Sequence, residues 1–157
     1  MNIVQPLDGA DDALVRGLVE DGRQPNNALA AHAGIAASTA LTRVRLLIKR
    51  GVIRGVHADV DPVAVGAPVQ AIVALRLRTH LAEHVLNFAR RVGDLPEVLQ
   101  VFHVSGGEDF LVHVAVASAE DLRDFTLNSL TSDPAVAQAQ THLVFEHRRG
   151  RFMSRRG

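Results

Sequence analysis

The chain has 157 residues, 47% of them apolar, and no cysteine, so it is long enough for one or two globular domains and cannot build a disulfide scaffold or a thiolate metal site. Basic and acidic side chains balance at 17 each, and the six aromatic residues are all phenylalanine, which argues against a base-stacking surface for single-stranded nucleic acid. No apolar run approaches the ~20 residues of a membrane span, and no signal peptide opens the sequence. We therefore expect a cytoplasmic protein with no membrane partner.

The balanced total charge hides a pattern along the chain. Residues 1–60 carry a net charge of +1, residues 61–145 carry −5 and residues 146–157 carry +4. Basic ends around an acidic middle indicate two domains with different partners. The expected divisions are a first domain in 1–60, a linker in 61–68, a second domain in 69–147 and a basic tail in 148–157.

The first domain is predicted to contain three short helices. They run from Asp8 to Asp21, from Pro25 to His32 and from Ala37 to Arg50, and Asp8 with Asp11 resembles a capping box. Gly34 provides the turn between the last two, and Gly51 ends the third helix. Two helices around such a turn predict a helix-turn-helix, and a strand at Val52–Val60 would make it winged.

The second domain alternates between strand and helix patterns. Strands are expected at Val69–Arg78, Val98–Ser105, Phe110–Val116 and Val136–Glu146, and helices at Leu81–Val92 and after the N-cap Ser118. The order βαββαβ predicts a ferredoxin-like sheet with both helices on one face, so the fold class is α+β. The helix side chains expected to pack inward are Leu81, Val85, Phe88, Ala89, Val92, Leu122, Phe125 and Ser129.

The predicted strands also indicate a partner chain. Apolar residues occupy consecutive positions, as in Phe110-Leu111-Val112, whereas a strand with one face in water alternates apolar and polar residues. Both faces of the sheet should therefore be covered, and the two helices can cover only one. We expect a homodimer, whose two-fold symmetry also suits palindromic DNA half-sites.

The third helix is the candidate DNA-reading element, because it carries four cations and no acid. On a helical wheel, its expected inward side is Ala37, Ala40, Leu41, Val44, Leu47 and Ile48. Short polar side chains flanked by cations are typical of a helix that contacts base edges and phosphates in a major groove of double-stranded DNA. The candidate DNA-binding residues are Ser38, Thr39, Thr42, Arg43, Arg45, Leu46, Lys49 and Arg50. The alternative is a solvated charged face, and Leu46 could touch a thymine methyl, lie against the groove wall or simply be exposed.

A flexible acidic turn joins the two central predicted strands of the second domain. It comprises Gly106, Gly107, Glu108 and Asp109, and we take these as the candidate effector-binding residues. Turn amides can hold a carboxylate and Asp109 can hold an ammonium group, so the turn suits an amino acid or a similar small effector. The alternative is an ordinary hairpin turn, in which Gly and Asp are common.

The eight histidines do not form a recognisable metal motif. His80 and His84 are four residues apart on one predicted helix, and His103 and His113 are on neighbouring strands, where they could be close. No cysteine and no H-E-x-x-H sequence accompanies them. We therefore expect no metal and no cofactor, and solvated or hydrogen-bonded histidines.

The chain resembles the leucine-responsive regulatory protein (Lrp/AsnC) family from Leu7 to about His147. The matching residues in the first half are Leu7-Asp8, Asp21-Gly22-Arg23, Leu29-Ala30, Gly34-Ile35, Arg43-Val44, Leu47 and Gly51-Val52-Ile53. Those in the second half are Asp61-Pro62, Gly66, Pro96-Glu97-Val98, Val104-Ser105-Gly106, Asp109-Phe110-Leu111 and Val136. The resemblance implies a bacterial or archaeal transcription factor with a winged helix-turn-helix and a ferredoxin-like domain for amino-acid sensing, and we expect such a protein to be nucleoid-associated. It also implies dimers that often assemble into octamers, with amino acids bound between dimers near residues 106–109.

The sequence departs from the family pattern at four sites. Pro25 and Ala28 replace the Ser and Glu that cap the second helix, so Asn26 or Asn27 must cap it if any residue does. Ala36 replaces the cap serine of the third helix, and Leu46 stands where the family often has a basic residue. The arginine-rich tail also extends past the usual end, as an arm on DNA or as solvated charge.

Two other functions are compatible with this two-domain shape. An effector-independent, chromosome-organising DNA-binding protein would share the basic helix. A siroheme-decarboxylase-like enzyme would use histidines of the second domain, but the cationic third helix favours retained DNA binding, so we expect a sequence-specific regulator and no enzyme.

Overall fold

The computed structural model describes residues 6–79, 81–148 and 150. Two compact units are present, one made mainly of the residues up to Asp59 and one of Val60–Arg148. Of the predicted basic tail, only Arg148 and Gly150 are among the described residues. The possible His80–His84 metal pair cannot be followed either, because His80 lies outside the described residues. Among the residues that are described, no helix is both long and apolar enough to cross a bilayer.

The first unit begins with three helices: α1 at Gly9–Glu20, α2 at Asn26–Ala33 and α3 at Ala37–Lys49. The predicted N-cap is confirmed, because Asp8 Oδ1 accepts a hydrogen bond from the backbone N–H of Asp11 at 2.7 Å. The predicted turn is confirmed as well, since Gly34 has φ +66° in the left-handed region. Helices α2 and α3 therefore form the helix-turn-helix that the sequence predicted.

Helix α2 has no side-chain cap. Its N-cap residue is Pro25, which makes no side-chain hydrogen bond, and neither Asn26 nor Asn27 takes over the capping role. The Asn26 side chain instead donates from Nδ2 to the backbone carbonyl of Ala37 at 2.8 Å. This long-range bond links the start of α2 to the first residue of α3, so Asn26 stabilises the motif rather than a single helix.

The inward side of α3 is narrower than predicted. Ala40 and Leu47 are fully buried, but Leu41 and Ile48 remain 42% and 52% exposed. They fail to reach the core because it is small: α1 contributes Leu14 and Val15, and α2 contributes Leu29 and Ala30. Apolar surface is consequently left on α3 outside the core of this unit.

The predicted strand at Val52–Val60 is also wrong. This segment is irregular, with Gly51 at φ +73° and the N–H of Val52 donating to Leu47 O at 2.9 Å to finish the helix end. A strand requires a pairing partner, and the described residues of this unit offer no second strand. The helix-turn-helix is thus present without a strand-built wing.

The second unit is an antiparallel sheet with helices on one face, as predicted. Its elements are β1 at Val69–Leu77, α4 at Ala82–Gly93, β2 at Val98–His103, β3 at Phe110–Val116, α5 at Ala119–Phe125 and β4 at Val136–Leu143. The strand order is β2-β3-β1-β4, which is the ferredoxin-like order. The predicted strand ends at residues 78, 104–105 and 144–146 fall outside the paired strands, where the ladder stops.

Alternate residues of β1 and β3 form the core of this unit with the two helices. Val85, Phe88 and Val92 of α4 and Leu122 and Phe125 of α5 are buried in it, as predicted. The prediction that Leu81 packs inward is wrong, because α4 begins one residue later and leaves Leu81 62% exposed at the N-cap position. Ala89 is only partly buried against the same core.

A π-helical turn at Thr126–Thr131 changes which side chain packs inward at the end of α5. Ser129, four residues after Phe125, is half-buried, whereas Leu130, five residues after it, has no exposed surface. The wider i→i+5 turn rotates the face by about one residue relative to an α-helix. The predicted Ser129 contact is therefore made by Leu130.

We predict that Leu130→Ala lowers the free energy of unfolding by about 2–5 kcal/mol, because a fully buried leucine leaves a cavity when it is truncated. Leu127→Ala is the matched control, since Leu127 is on the same turn but is 53% exposed. Urea unfolding of both variants measures the difference. Equal losses would contradict the register that the π-helical turn imposes.

Candidate nucleic-acid interface and effector turn

The outer surface of α3 presents nearly all of the residues predicted to contact DNA. Seven of the eight are exposed, and the eighth, Arg43, is half-buried. The exposed residues are Ser38, Thr39, Thr42, Arg45, Leu46, Lys49 and Arg50. The Thr42 hydroxyl donates to Ser38 O at 3.0 Å, so its hydrogen is used within the helix while the oxygen keeps its capacity as an acceptor.

Arg43 is held by acids of α1. Its Nη1 donates to Asp8 Oδ2 at 2.6 Å and to Asp11 Oδ1 at 2.8 Å, and Arg50 Nη1 lies 3.7 Å from Asp11 Oδ2. The Asp8 and Asp11 carboxylates raise the pKa of Arg43. The backbone N–H of Asp11, followed by the Arg43 guanidinium, lowers the pKa of Asp8. Arg43 of α3 and Arg50 at its C-cap therefore have acidic partners within the protein.

Reasoning from α3 alone missed this ion-pair cluster. The signal was present in the first helix, where Asp8 and Asp11 are three residues apart and so share one face. The local sequence pattern presents Asp11 only as a capping residue, although its side chain is just 12% exposed in the structure. A nearly buried carboxylate requires a cation, and the cations of the first unit are concentrated in α3.

The candidate effector turn connects β2 and β3. Gly106 has φ +131°, a conformation that favours glycine, and both Gly106 and Gly107 are exposed. Asp109 ties the turn to β1, because its Oδ2 accepts from the backbone N–H of Leu77 at 2.7 Å and its own N–H donates to Leu75 O at 2.8 Å. The turn thus presents two exposed glycines and a half-buried Glu108, while Asp109 has a structural contact.

His103 and His113 lie on opposite faces of the sheet. His103 stacks on the Phe110 ring, with centroids 4.9 Å apart, and Phe110 belongs to the core on the helix side. His113 is on the opposite face, nearly buried, where its Nε2 lies 3.0 Å from Gln70 Oε1 and its ring lies 5.2 Å from that of His147. The expected proximity of His103 and His113 is therefore wrong. Within the described ranges, no three histidine, aspartate or glutamate side chains converge as metal ligands would.

The sheet face away from the helices has a largely apolar centre. We call it the open face and define it by Ile72, Ala74, Leu111, His113 and Ala115. Ladder pairing places them together, with Ile72 opposite His113 and Ala74 opposite Leu111. Phe102, opposite Leu111, is 46% exposed at one side of this face.

Comparison with known proteins identifies both parts of the chain. Residues 70–151 match the family model described as the Lrp/AsnC ligand binding domain, and residues 15–54 match a winged helix-turn-helix DNA-binding model. The HTH-type transcriptional regulator AldR of Mycobacterium tuberculosis is 44% identical over 92% of this chain and 80% of its own length.

Two crystal structures extend the similarity to the fold. That of MtbAldR has a TM-score of 0.81 and 41% identity, covering 92% of this chain and 98% of that one. A transcriptional regulator from Neisseria meningitidis, solved as a complex with L-Met, has a TM-score of 0.80 and 28% identity, and the match covers 92% of this chain and 94% of that one.

We predict that acid destabilises the protein through His113. Burial, and then the charge of His147, lower the pKa of His113 below its usual 6.5. The neutral ring is favoured in the folded state, so stability is full above pH 6.5 and falls as the pH drops through 6.5 toward the lowered pKa.

The measurement is urea unfolding of wild type and His113→Gln between pH 7.5 and 5.5. Wild type should lose more free energy of unfolding than His113→Gln over this range. His103→Gln, which alters an exposed ring, should behave as wild type. Identical pH dependence of wild type and His113→Gln would refute the assignment.

Proposed function

Because the chain belongs to the Lrp/AsnC family of transcriptional regulators, we propose that it binds specific double-stranded DNA sequences through α3 and that a small effector modulates this binding. Residues 1–60 form the DNA-binding domain in this proposal, residues 61–68 the linker and residues 69–147 the effector-binding and oligomerisation domain. Its place of action is the nucleoid, and it has no catalytic activity.

The exposed polar surface of α3 is the observation that carries the DNA-binding proposal. Ser38, Thr39 and Thr42 occupy the N-terminal half of the helix, which is the part that reaches base edges in helix-turn-helix proteins. Arg45 and Lys49 are exposed and able to approach phosphates. A merely solvated helix face usually mixes charges of both signs, and α3 contains no acid at all.

The geometry of residues 106–109 supports an effector site in which Glu108, rather than Asp109, accepts the ammonium group. The exposed amides of Gly106 and Gly107 suit a carboxylate, and Glu108 supplies an acceptor for an ammonium group. Asp109 belongs to the site as the residue that holds the turn on β1. The Neisseria relative bound to L-Met makes an amino acid the first ligand to test.

The open face supports a homodimer. A second copy would bury Ile72, Leu111 and Phe102, which remain partly exposed in the single chain. The dimer would give two α3 helices related by two-fold symmetry, and further association would give the octamer that the family resemblance implies.

We predict that Arg45→Ala weakens DNA binding and reduces the slope of log affinity against log salt by about 0.9, the contribution of one phosphate contact. Arg90→Ala in α4 of the second unit is the matched control, because it removes the same charge from outside the proposed surface. Fluorescence anisotropy across a salt series measures both. An unchanged slope for Arg45→Ala removes that residue from the phosphate contacts, and a wild type that binds no duplex refutes the proposed function.

The effector site is tested by thermal unfolding in the presence of each of the twenty amino acids. A ligand at 100 times its Kd should stabilise the protein by about 2.7 kcal/mol. Gly107→Val should abolish the shift, since a Cβ there meets no atom within 4 Å and the branched side chain would cover the exposed turn amides. A panel without any shift would favour effector-independent DNA binding, and a shift retained by Gly107→Val would place the site elsewhere.

A further inference from the structure

Helix α3 has little apolar burial to hold it in place. Only Ala40 and Leu47 among its side chains are fully buried, and its N-cap, Ala36, makes no side-chain hydrogen bond. A recognition element must nevertheless be held within about half an ångström to present its side chains reproducibly. Ala37 and Val44 add partly buried contacts, and the Asn26 side chain ties the start of α3 to α2, which leaves the orientation of α3 on α1 to be explained.

The ion-pair cluster with α1 meets that need. Arg43 bonds to Asp8 and Asp11 at 2.6 and 2.8 Å, and the other oxygen of Asp11 faces Arg50 at 3.7 Å. The bonds join residues more than thirty positions apart, so they fix one helix on another rather than stiffening one helix. Two carboxylates and two guanidinium groups cancel, and the cluster therefore offers a phosphate no net charge.

The cluster lies beside the side chains proposed to read bases. Asp11, Arg43 and Arg50 line a recess of about 530 Å³ together with Thr39, Thr42 and Leu46. If Arg43 moved to a phosphate, it would leave the nearly buried Asp11 facing Arg50 at 3.7 Å, a longer and weaker ion pair, which is unfavourable. The arrangement thus favours an Arg43 that stays on α1 when DNA is bound.

We propose that Arg43 is a positioning residue, which together with Asp11 sets the angle of α3 on α1, and that it does not contact the DNA backbone. This inference rests on the proposed DNA-binding function. It differs from the interpretation of Arg43 as a phosphate contact, because the two roles predict opposite effects for the acid that partners it.

Asp11→Asn is the decisive variant, since it removes a negative charge near the DNA surface while keeping the shape of the side chain. If the affinity for DNA depended only on the total charge of this surface, Asp11→Asn would tighten DNA binding, because it removes an acid and releases Arg43. A positioning role predicts weaker specific binding, by about tenfold or more, with unchanged non-specific binding and an unchanged salt slope. Asp12→Asn is the matched control, because Asp12 pairs with Arg16 inside α1 and should have no such effect.

Arg43→Gln is the second variant, and anisotropy with specific and random duplexes is the measurement. Arg43→Gln should bind the specific duplex more weakly than wild type, and the slope of log affinity against log salt should be unchanged. Retained binding to the random duplex shows that the domain is folded. A slope lower by about 0.9 in Arg43→Gln, or specific binding by Asp11→Asn that is equal to or tighter than wild type, would overturn the proposal. Either result would leave the proposed function intact, because wild type would still bind the specific duplex.

Discussion

A nearly buried carboxylate between two helices is the constraint on which the first unit depends. Asp11 is on α1, and it is approached by the guanidinium groups of Arg43 in α3 and of Arg50 at the C-cap of α3. Withdrawing a charge from water is costly unless partners approach with good geometry, so few relative positions of the two helices satisfy it. Asp8 adds to this constraint, because one of its oxygens caps α1 and the other binds Arg43. The start of α1 and the orientation of α3 are thus set by the same pair of acids.

The second unit is organised by a different constraint, which is a sheet covered by helices on one face. The ladder joins β1 to both β3 and β4 and places the turn after β2 near the end of β1, where Asp109 binds the Leu77 amide. The turn is consequently attached to the central strand, although its glycines remain exposed. A ligand held by the turn would act on the strand that also carries the open face. Effector binding and association of subunits would then be coupled through β1, which is consistent with a regulator of the Lrp/AsnC type.

The features that sequence predicted correctly are local or periodic. The Asp8 cap, the Gly34 turn, the Ser118 cap and the order of helices and strands in the second unit each follow from neighbouring residues. Two of the errors depend on distant residues. Val52–Val60 has strand composition but finds no pairing partner among the described residues, and Leu41 and Ile48 have helical spacing but the core is too small to bury them. Two others are local, because a π-helical turn transfers the Ser129 position to Leu130 and α4 begins one residue after Leu81. The roles of Asn26 and Arg43 also required the structure, because their partners lie 11 and at least 32 residues away.

The central claim is that α3 reads DNA sequence as part of a two-fold symmetric protein. Selection of bound sequences from a pool of random duplexes tests it most directly, because the operator need not be identified before the experiment. We expect enrichment of one palindromic motif whose half-sites are centred about 10 base pairs, or a multiple of that spacing, apart. Retention of the pool without enrichment of any motif would contradict this claim and would favour DNA binding without sequence preference.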